Sequence, residues 1–251
     1  MEHFPNVTAV VLAAGKGTRM KSELPKVATL LAGKPLVLYV LDHLLLAGVK
    51  SQVAVVGYKK QMVEEIVAGR GILLAEQQEQ LGTGHAVLCS KTFVPQKANQ
   101  ILVACGDAPL IQPTSFRSLI NLHNQNQFSA SVLTAILPNP TGYGRILRNP
   151  LDGTVNSIVE EKDASPAEKN ISEVNTGTYI FEASHLWDAL NLVGNSNAQG
   201  EYYLTDVIHI LKKQNKKIGA MAVPNPMESH GINSPADLEL AEQYSKSLVS
   251  V

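Results

Sequence analysis

Apolar residues along the chain fall into two patterns, short continuous runs and three- or four-residue repeats, and their alternation predicts an α/β fold. Val7, Val10, Val11 and Leu12 form the kind of run that fills a sheet buried on both faces, so a strand is expected over 7–12. Leu36, Tyr39, Val40, Leu44 and Ala47 share one face at helical spacing, which predicts a helix over 35–47. The same reading places strands at 53–56, 71–75 and 101–104, a helix at 61–67 and a helix start at 85–89. Such a succession builds βαβ units, and a doubly wound, mostly parallel, Rossmann-like sheet is expected. Ligands of these sheets bind beyond the carboxyl ends of strands, where Gly15, Gln77 and Asp107 all fall.

The pattern changes after Ser129. Strands at 131–137, 144–148, 155–160 and 174–181 are separated by Pro, Gly and Asn turns, which predicts an inserted antiparallel lobe rather than further βα units. A helix is expected again over 202–211, and another over 235–244, capped by Ser234 with Pro235 at its first position. The expected organisation is one domain: a nucleotide-binding part over about 1–137, the lobe over about 138–230 and a returning segment over 231–251.

A chain of 251 residues with 45% hydrophobic content can bury a sizeable core, which excludes a disordered protein. The formal net charge of -1 gives no electrostatic reason for binding nucleic acid or an anionic membrane, and no apolar run reaches the length of a membrane span. The two cysteines, Cys89 and Cys105, have no metal-ligand spacing with the histidines and read as reduced thiols, so a cytoplasmic protein is expected. Glu2 and His3 stand where a signal peptide has its basic residues.

The chemistry concentrates after the first strand. Ala13, Ala14, Gly15 and Gly17 remove side-chain bulk at the turn, freeing backbone N–H groups to approach a ligand, and Arg19 and Lys26 follow as two cations. Exposed amides with nearby cations are what a polyphosphate needs. The spacing is neither that of a P-loop, because Lys16 precedes Gly17, nor that of a dinucleotide fingerprint, because Met20 stands at the third position after Gly17. By residue type alone, Asp107 reads equally as an oxygen ligand for Mg²⁺ or as a turn residue at a strand end. Lys16 and Lys21 read as solvated.

The first turn, L-x-x-G-x-G-T-R-M followed by P-K, resembles the signature of sugar-1-phosphate nucleotidyltransferases. The resemblance extends through A-E-Q-Q-E-Q-L-G-T-G-H-A, G-D-A-P-L, P-T-G-Y-G-R-I, I-V-E-E-K-D-A, V-N-T-G, A-Q-G-E-Y-Y-L-T-D and G-I-N, in family order over roughly residues 7 to 240. The chain is similar to the uridylyltransferase domain of the bacterial N-acetylglucosamine-1-phosphate uridylyltransferases. That resemblance implies Mg²⁺-dependent transfer of UMP from UTP to N-acetylglucosamine 1-phosphate, with pyrophosphate leaving. Both reactants are polyanions and already contain the nucleophile, so the expected catalytic tools are alignment and charge neutralisation.

Matched position by position, the resemblance implies Asp107 and Asn233 as metal ligands. It gives Arg19 and Lys26 to the phosphates, and Leu12, Ala13, Ala14, Gly15, Gln77, Gly82 and Thr83 to the nucleotide. It gives Gly144, Glu160, Asn175, Tyr203 and Thr205 to the sugar, with the last two also readable as core residues. Bifunctional family members continue into a left-handed β-helix with acetyltransferase activity; the sequence stops at Val251, and the nucleotidyl-transfer half alone is expected. Oligomeric state is not set by these residues.

One position departs from the family: Cys105-Gly106-Asp107 stands where Tyr-Gly-Asp is usual. A small thiol leaves extra room, and looser sugar discrimination is expected. Two alternatives stay open, uridylyl or thymidylyl transfer to another sugar 1-phosphate such as glucose 1-phosphate, and a non-catalytic nucleotide-sugar-binding protein.

Overall fold

The computed structural model describes residues 2–20 and 22–249, with side chains through Lys246; Lys21 lies outside the described residues. In chain order the elements are β1 (Val7–Ala13), β2 (Leu30–Leu31), β3 (Lys34–Pro35), α1 (Leu36–Leu46), β4 (Ser51–Val56), α2 (Lys60–Val67), β5 (Leu73–Glu76), α3 (Thr83–Cys89), β6 (Gln100–Cys105) and α4 (Pro113–Asn126). There follow β7 (Ala130–Ile136), β8 (Arg145–Arg148), β9 (Val155–Val159), α5 (Pro166–Lys169), β10 (Glu173–Glu182), α6 (Ala183–Leu190), α7 (Asp206–Lys213), β11 (Ile218–Ala222) and α8 (Pro235–Val249).

The central sheet runs β11-β7-β10-β6-β1-β4-β5, mixed but mostly parallel, with β10 antiparallel to both its neighbours. Period-two alternation splits its side chains between two apolar layers. Val7, Ala9 and Val11 of β1 pack with Val40 and Leu44 of α1 and Phe116 and Leu119 of α4. Val10 faces the other way, in one cluster with Val87 of α3, Leu186 of α6 and Leu211 of α7. Helices therefore cover both faces, as the doubly wound reading requires.

Register aligns the ends that matter. Leu12 lies opposite Cys105, Ala13 opposite Val56, and Val56 opposite Glu76. Gly15, Gln77 and Asp107 thus leave one sheet edge one or two residues after their strands end. The chain runs from β1 outward through β4 and β5, then returns to β6 on the opposite side of β1. The crevice between β1 and β6 is the switch point where such sheets take ligands.

The antiparallel part is narrower than the sequence pattern predicts. Residues 131–136 and 174–181 lie in β7 and β10 of the main sheet, and only the β8–β9 hairpin extends from it, through the pairing of Val174 with Arg145. Turn-rich flanks make an inserted antiparallel strand look like a separate lobe, but β7 and the second half of β10 are buried on both faces. The helix expected over 202–211 begins only at Asp206. The backbone of Tyr202 is engaged elsewhere, donating to Leu81 O and accepting from Gly84 N, both at 2.8 Å.

A third, smaller apolar cluster joins Met20, Leu31, Leu36, Leu110, Ile232 and Ala241. It anchors the end of the glycine loop to α8 and the segment before it, so positions at opposite ends of the sequence share one corner.

Candidate active site

A cavity of about 270 Å³ opens at the β1–β6 crevice. Leu12, Ala14 and Gly15 of the first turn line one side; Gln77, Gly82 and Thr83 line another; Lys26, Cys105 and Asp107 close the end. Eight of the nucleotide, phosphate and metal positions expected from the sequence therefore share one space. Ala13 does not face it, since its side chain is buried in the core at the end of β1. Gln80 and Glu201 also line the cavity and are not among the positions expected from the sequence.

The glycine loop sets Lys26. Gly17 has φ +69, and a Cβ there would lie 2.5 Å from Lys26 Cβ, so only glycine permits the loop to close against the Lys26 backbone. The Lys26 ammonium pairs with the Asp107 carboxylate and donates to Asn233 Oδ1 at 2.9 Å. Arg19 donates to the same Oδ1 at 2.8 Å, across 214 residues of sequence. Asn233 is itself fixed: its Nδ2 donates to Gly231 O at 3.1 Å and its N–H to Asp237 at 3.0 Å, while Ile232 N donates to Asp107 O at 2.9 Å. Two cations and two oxygen-bearing side chains thus meet at the end of the cavity, which Lys26 and Asp107 line and Arg19 and Asn233 do not. Lys16 is exposed and lies 5.4 Å from the centre of the Tyr58 ring, away from this group.

Asp107 and Asn233 offer hard oxygen donors that converge on one ammonium, so the pair can share a single cation, as a divalent site requires. Among the described residues no cluster of three His, Cys, Asp or Glu side chains has ligating geometry. Two protein oxygens leave most of a coordination sphere to phosphate and water, the usual arrangement for Mg²⁺ with a nucleotide.

Gln77 is buried, and its Nε2 donates to Gly82 O at 3.1 Å and lies 3.1 Å from His85 Nδ1. Gly82, at φ +117, lets the loop press against Tyr202, whose carbonyl oxygen would be 2.7 Å from any added Cβ. Thr83 accepts from Leu204 N at 3.0 Å. The turn before α3 is therefore pinned to the 201–205 segment.

A second group lies beyond Cys105. Gly144 sits against Asn175 and Glu160: a Cβ there would be 3.5 Å from Glu160 Oε2 and 3.6 Å from Asn175 Cβ, and Asn175 N donates to Gly144 O at 2.9 Å. Thr205 donates to Glu160 Oε1 at 3.0 Å. Burial raises the Glu160 carboxyl above its ordinary range, the Thr205 hydrogen bond opposes this, and the charges of Asp163, Asp206 and Glu201 add to the rise. Tyr203 stands apart, buried and hydrogen-bonded to Asp163 and Gln199. Cys105 joins the two groups: it lines the cavity while its thiol points at Gly177 O, 3.6 Å away, and burial pushes its pKa up to about 12.

No helix among the described residues is long and apolar enough to cross a membrane. The solved structure of a UDP-glucose pyrophosphorylase complexed with UDP-glucose has the same fold, with a TM-score of 0.77 over 96% of this chain and 98% of that one at 18% identity. The chain is 44% identical over 245 residues to the bifunctional protein GlmU of Clostridium perfringens, which covers 98% of this chain and 53% of that protein. GlmU of an Exiguobacterium species is 47% identical over 242 residues, covering 96% of this chain and 52% of that protein. The chain spans about half the length of the curated relatives it matches. The nucleotidyl transferase family model matches residues 8–224, a span that holds the glycine loop, Lys26, Asp107 and the whole second group, and the chain belongs to that family.

Proposed function

We propose that this chain transfers UMP from UTP to N-acetylglucosamine 1-phosphate, giving UDP-N-acetylglucosamine and pyrophosphate. Its main support is the convergence of Lys26, Arg19, Asp107 and Asn233 beside the cavity lined by the glycine loop and Gln77. Identities of 44 to 47% with GlmU proteins support the choice of nucleotide and sugar.

In this reading a phosphate oxygen of the sugar 1-phosphate attacks the α-phosphorus of UTP in line with the departing pyrophosphate. No protein nucleophile is needed, and holding the two polyanions in alignment is worth on the order of 7–11 kcal/mol of barrier. Loop amides around Leu12, Ala13, Ala14 and Gly15 approach the nucleotide, and Gln77, with Gly82 and Thr83, meets the uracil edge. Arg19 neutralises the triphosphate and the leaving pyrophosphate, and Lys26 bridges phosphates near the α-phosphorus. Family members generally use a divalent metal; we assign Mg²⁺, held by Asp107 and Asn233, which when bound supplies charge neutralisation to the phosphates. Gly144, Glu160, Asn175 and Thr205 form the sugar subsite, and Tyr203 supports it through Asp163.

We further assign residues 1–137 to nucleotide binding, 138–230 to a sugar-binding lobe and 231–251 to a returning segment, of which Asn233 closes the metal corner. Two free thiols suit a reducing compartment, and the chain is assigned to the cytoplasm. The reading is tested with a panel of UTP and dTTP against N-acetylglucosamine 1-phosphate and glucose 1-phosphate, following pyrophosphate. Preference for UTP with N-acetylglucosamine 1-phosphate is expected; a stronger preference for glucose 1-phosphate or dTTP refutes the substrate assignment, and binding without pyrophosphate release refutes the enzyme assignment.

A further inference from the structure

Asn175 carries an amide whose two ends are both tied within the protein. Gly177 N donates to its Oδ1 at 2.9 Å, and its Nδ2 donates to the Tyr179 hydroxyl at 2.6 Å. A peptide N–H can only donate, so the Gly177 contact fixes the carbonyl end, and the amino end must face Tyr179. One N–H and one lone pair of the Asn175 amide are left for a ligand.

The contact between positions 175 and 179 is not one a regular strand makes. Side chains four residues apart on a strand stand about 13 Å apart at roughly 3.3 Å per residue. Here the pairing of β10 with β7 slips between Asn175 and Thr178: Asn175 lies opposite Thr134 and Thr178 opposite Leu133, leaving Thr176 and Gly177 extra on β10. The Thr176 hydroxyl donates to Leu133 O at 2.7 Å and locks this bulge. The bend carries Asn175 back over Tyr179, and bulges of this kind re-aim side chains beside functional sites.

Tyr179 is suited to hold that position. It is 2% exposed and stacks on Phe181 at 5.5 Å between ring centres. Burial, with the nearby Glu160 carboxylate, holds its phenol well above the ordinary value, so it stays protonated at working pH.

Resting on the uridylyltransferase reading above, we propose that Tyr179 is a positioning residue that orients the Asn175 amide toward the 2-acetamido group of the sugar phosphate and so sets the preference for N-acetylglucosamine 1-phosphate over glucose 1-phosphate. Without the hydroxyl, the amino end of Asn175 loses its anchor and the amide turns about its last side-chain bond. The phenylalanine variant keeps the ring and its stacking, so the fold is retained.

The test is the ratio of kcat/KM for the two sugar phosphates in wild type, Tyr179→Phe, Asn175→Ala and the double variant, with thermal midpoints alongside. For Tyr179→Phe the KM for N-acetylglucosamine 1-phosphate is expected to rise about tenfold, the worth of one well-placed hydrogen bond, with kcat and the KM for UTP changed less than about twofold. Selectivity should fall by the same factor, and Tyr179→Phe should add nothing in the Asn175→Ala background. An unchanged ratio, a uniform loss of kcat on both sugars, additive effects in the double variant, or failure of Tyr179→Phe to fold each overturns the proposal. Wild type that releases pyrophosphate with neither sugar removes the uridylyltransferase reading and this inference together; active wild type with unaltered Tyr179→Phe selectivity removes this inference alone.

Discussion

At the scale of single residues, Lys26 and Lys16 separate two kinds of cation that look alike in sequence. Lys26 is held by Asp107 and Asn233 with only 17% of its side chain exposed, whereas Lys16 is exposed beside Tyr58. Lys26→Ala should lower kcat about 10²-fold or more, the usual cost of removing a fixed group aimed at developing charge, and Lys16→Ala less than about threefold. Steady-state kinetics on the two variants check this, and equal constants for Lys26→Ala and wild type would take Lys26 out of the mechanism. Cys105 gives a second expectation. Its thiol is raised to about 12 by burial and by the Asp107 charge, so the folded protein holds almost no thiolate at pH 8, and iodoacetamide should label position 105 only after unfolding. The sign for stability follows: an unfolded thiol ionises from about pH 8.5, the folded one does not, so the native state binds more protons and loses stability as pH rises toward 12. Cys105→Ala should flatten that part of a pH-dependent unfolding curve; an unchanged slope would contradict the assigned burial.

At the scale of elements, the turns carry as much of the site as the side chains do. Gly17→Ala brings a methyl group against Lys26 Cβ, and Gly82→Ala brings one against the Tyr202 carbonyl, each at a backbone conformation L-residues resist. Gly17→Ala should reproduce most of the kinetic loss of Lys26→Ala, and Gly82→Ala should chiefly raise the KM for UTP, because it displaces the loop beside Gln77. Kinetics of both variants, with circular dichroism to confirm folding, decide; wild-type constants for Gly17→Ala would mean that the loop does not set Lys26. Continuous apolar runs made β1, β4 and β6 legible, and a one-sided apolar face made α1 legible. Helix α4, T-S-F-R-S-L-I-N-L-H-N-Q-N after Pro113, went unread because polar residues outnumber its buried Phe116, Leu119 and Ile120. Strand β11, I-G-A-M-A, is short and small-sided, and only its parallel pairing with β7 marks it as a strand. In the site, the phosphate and metal positions were legible because they sit in distinctive motifs. Gln80, Glu201 and Tyr179 were not, since a surface Gln or Glu and an alternating Tyr in a strand carry no local signal, and the bulge that turns Asn175 onto Tyr179 is a register event between strands.

At the scale of the whole molecule, the chain brings its first turn against its last helix to make one corner. Met20, Ile232 and Ala241 pack in one cluster, and the Arg19–Asn233 and Lys26–Asn233 hydrogen bonds cross the molecule beside it. The metal assignment belongs here, because Asp107 comes from β6 and Asn233 from the segment before α8, and neither alone offers a site. Asp107→Asn and Asn233→Ala should each lower turnover strongly while leaving the thermal midpoint within a few degrees, and each should raise the Mg²⁺ concentration needed for half-maximal rate. Loss of rate with an unaltered metal requirement would point to phosphate alignment rather than metal binding. Pyrophosphate release by the purified chain with UTP, N-acetylglucosamine 1-phosphate and Mg²⁺ decides whether this corner performs uridylyl transfer. Pyrophosphate and UDP-N-acetylglucosamine are expected in equal amounts, abolished by excess EDTA and by Asp107→Asn; no release from the wild type, or release undiminished in EDTA, would rule out metal-dependent uridylyl transfer.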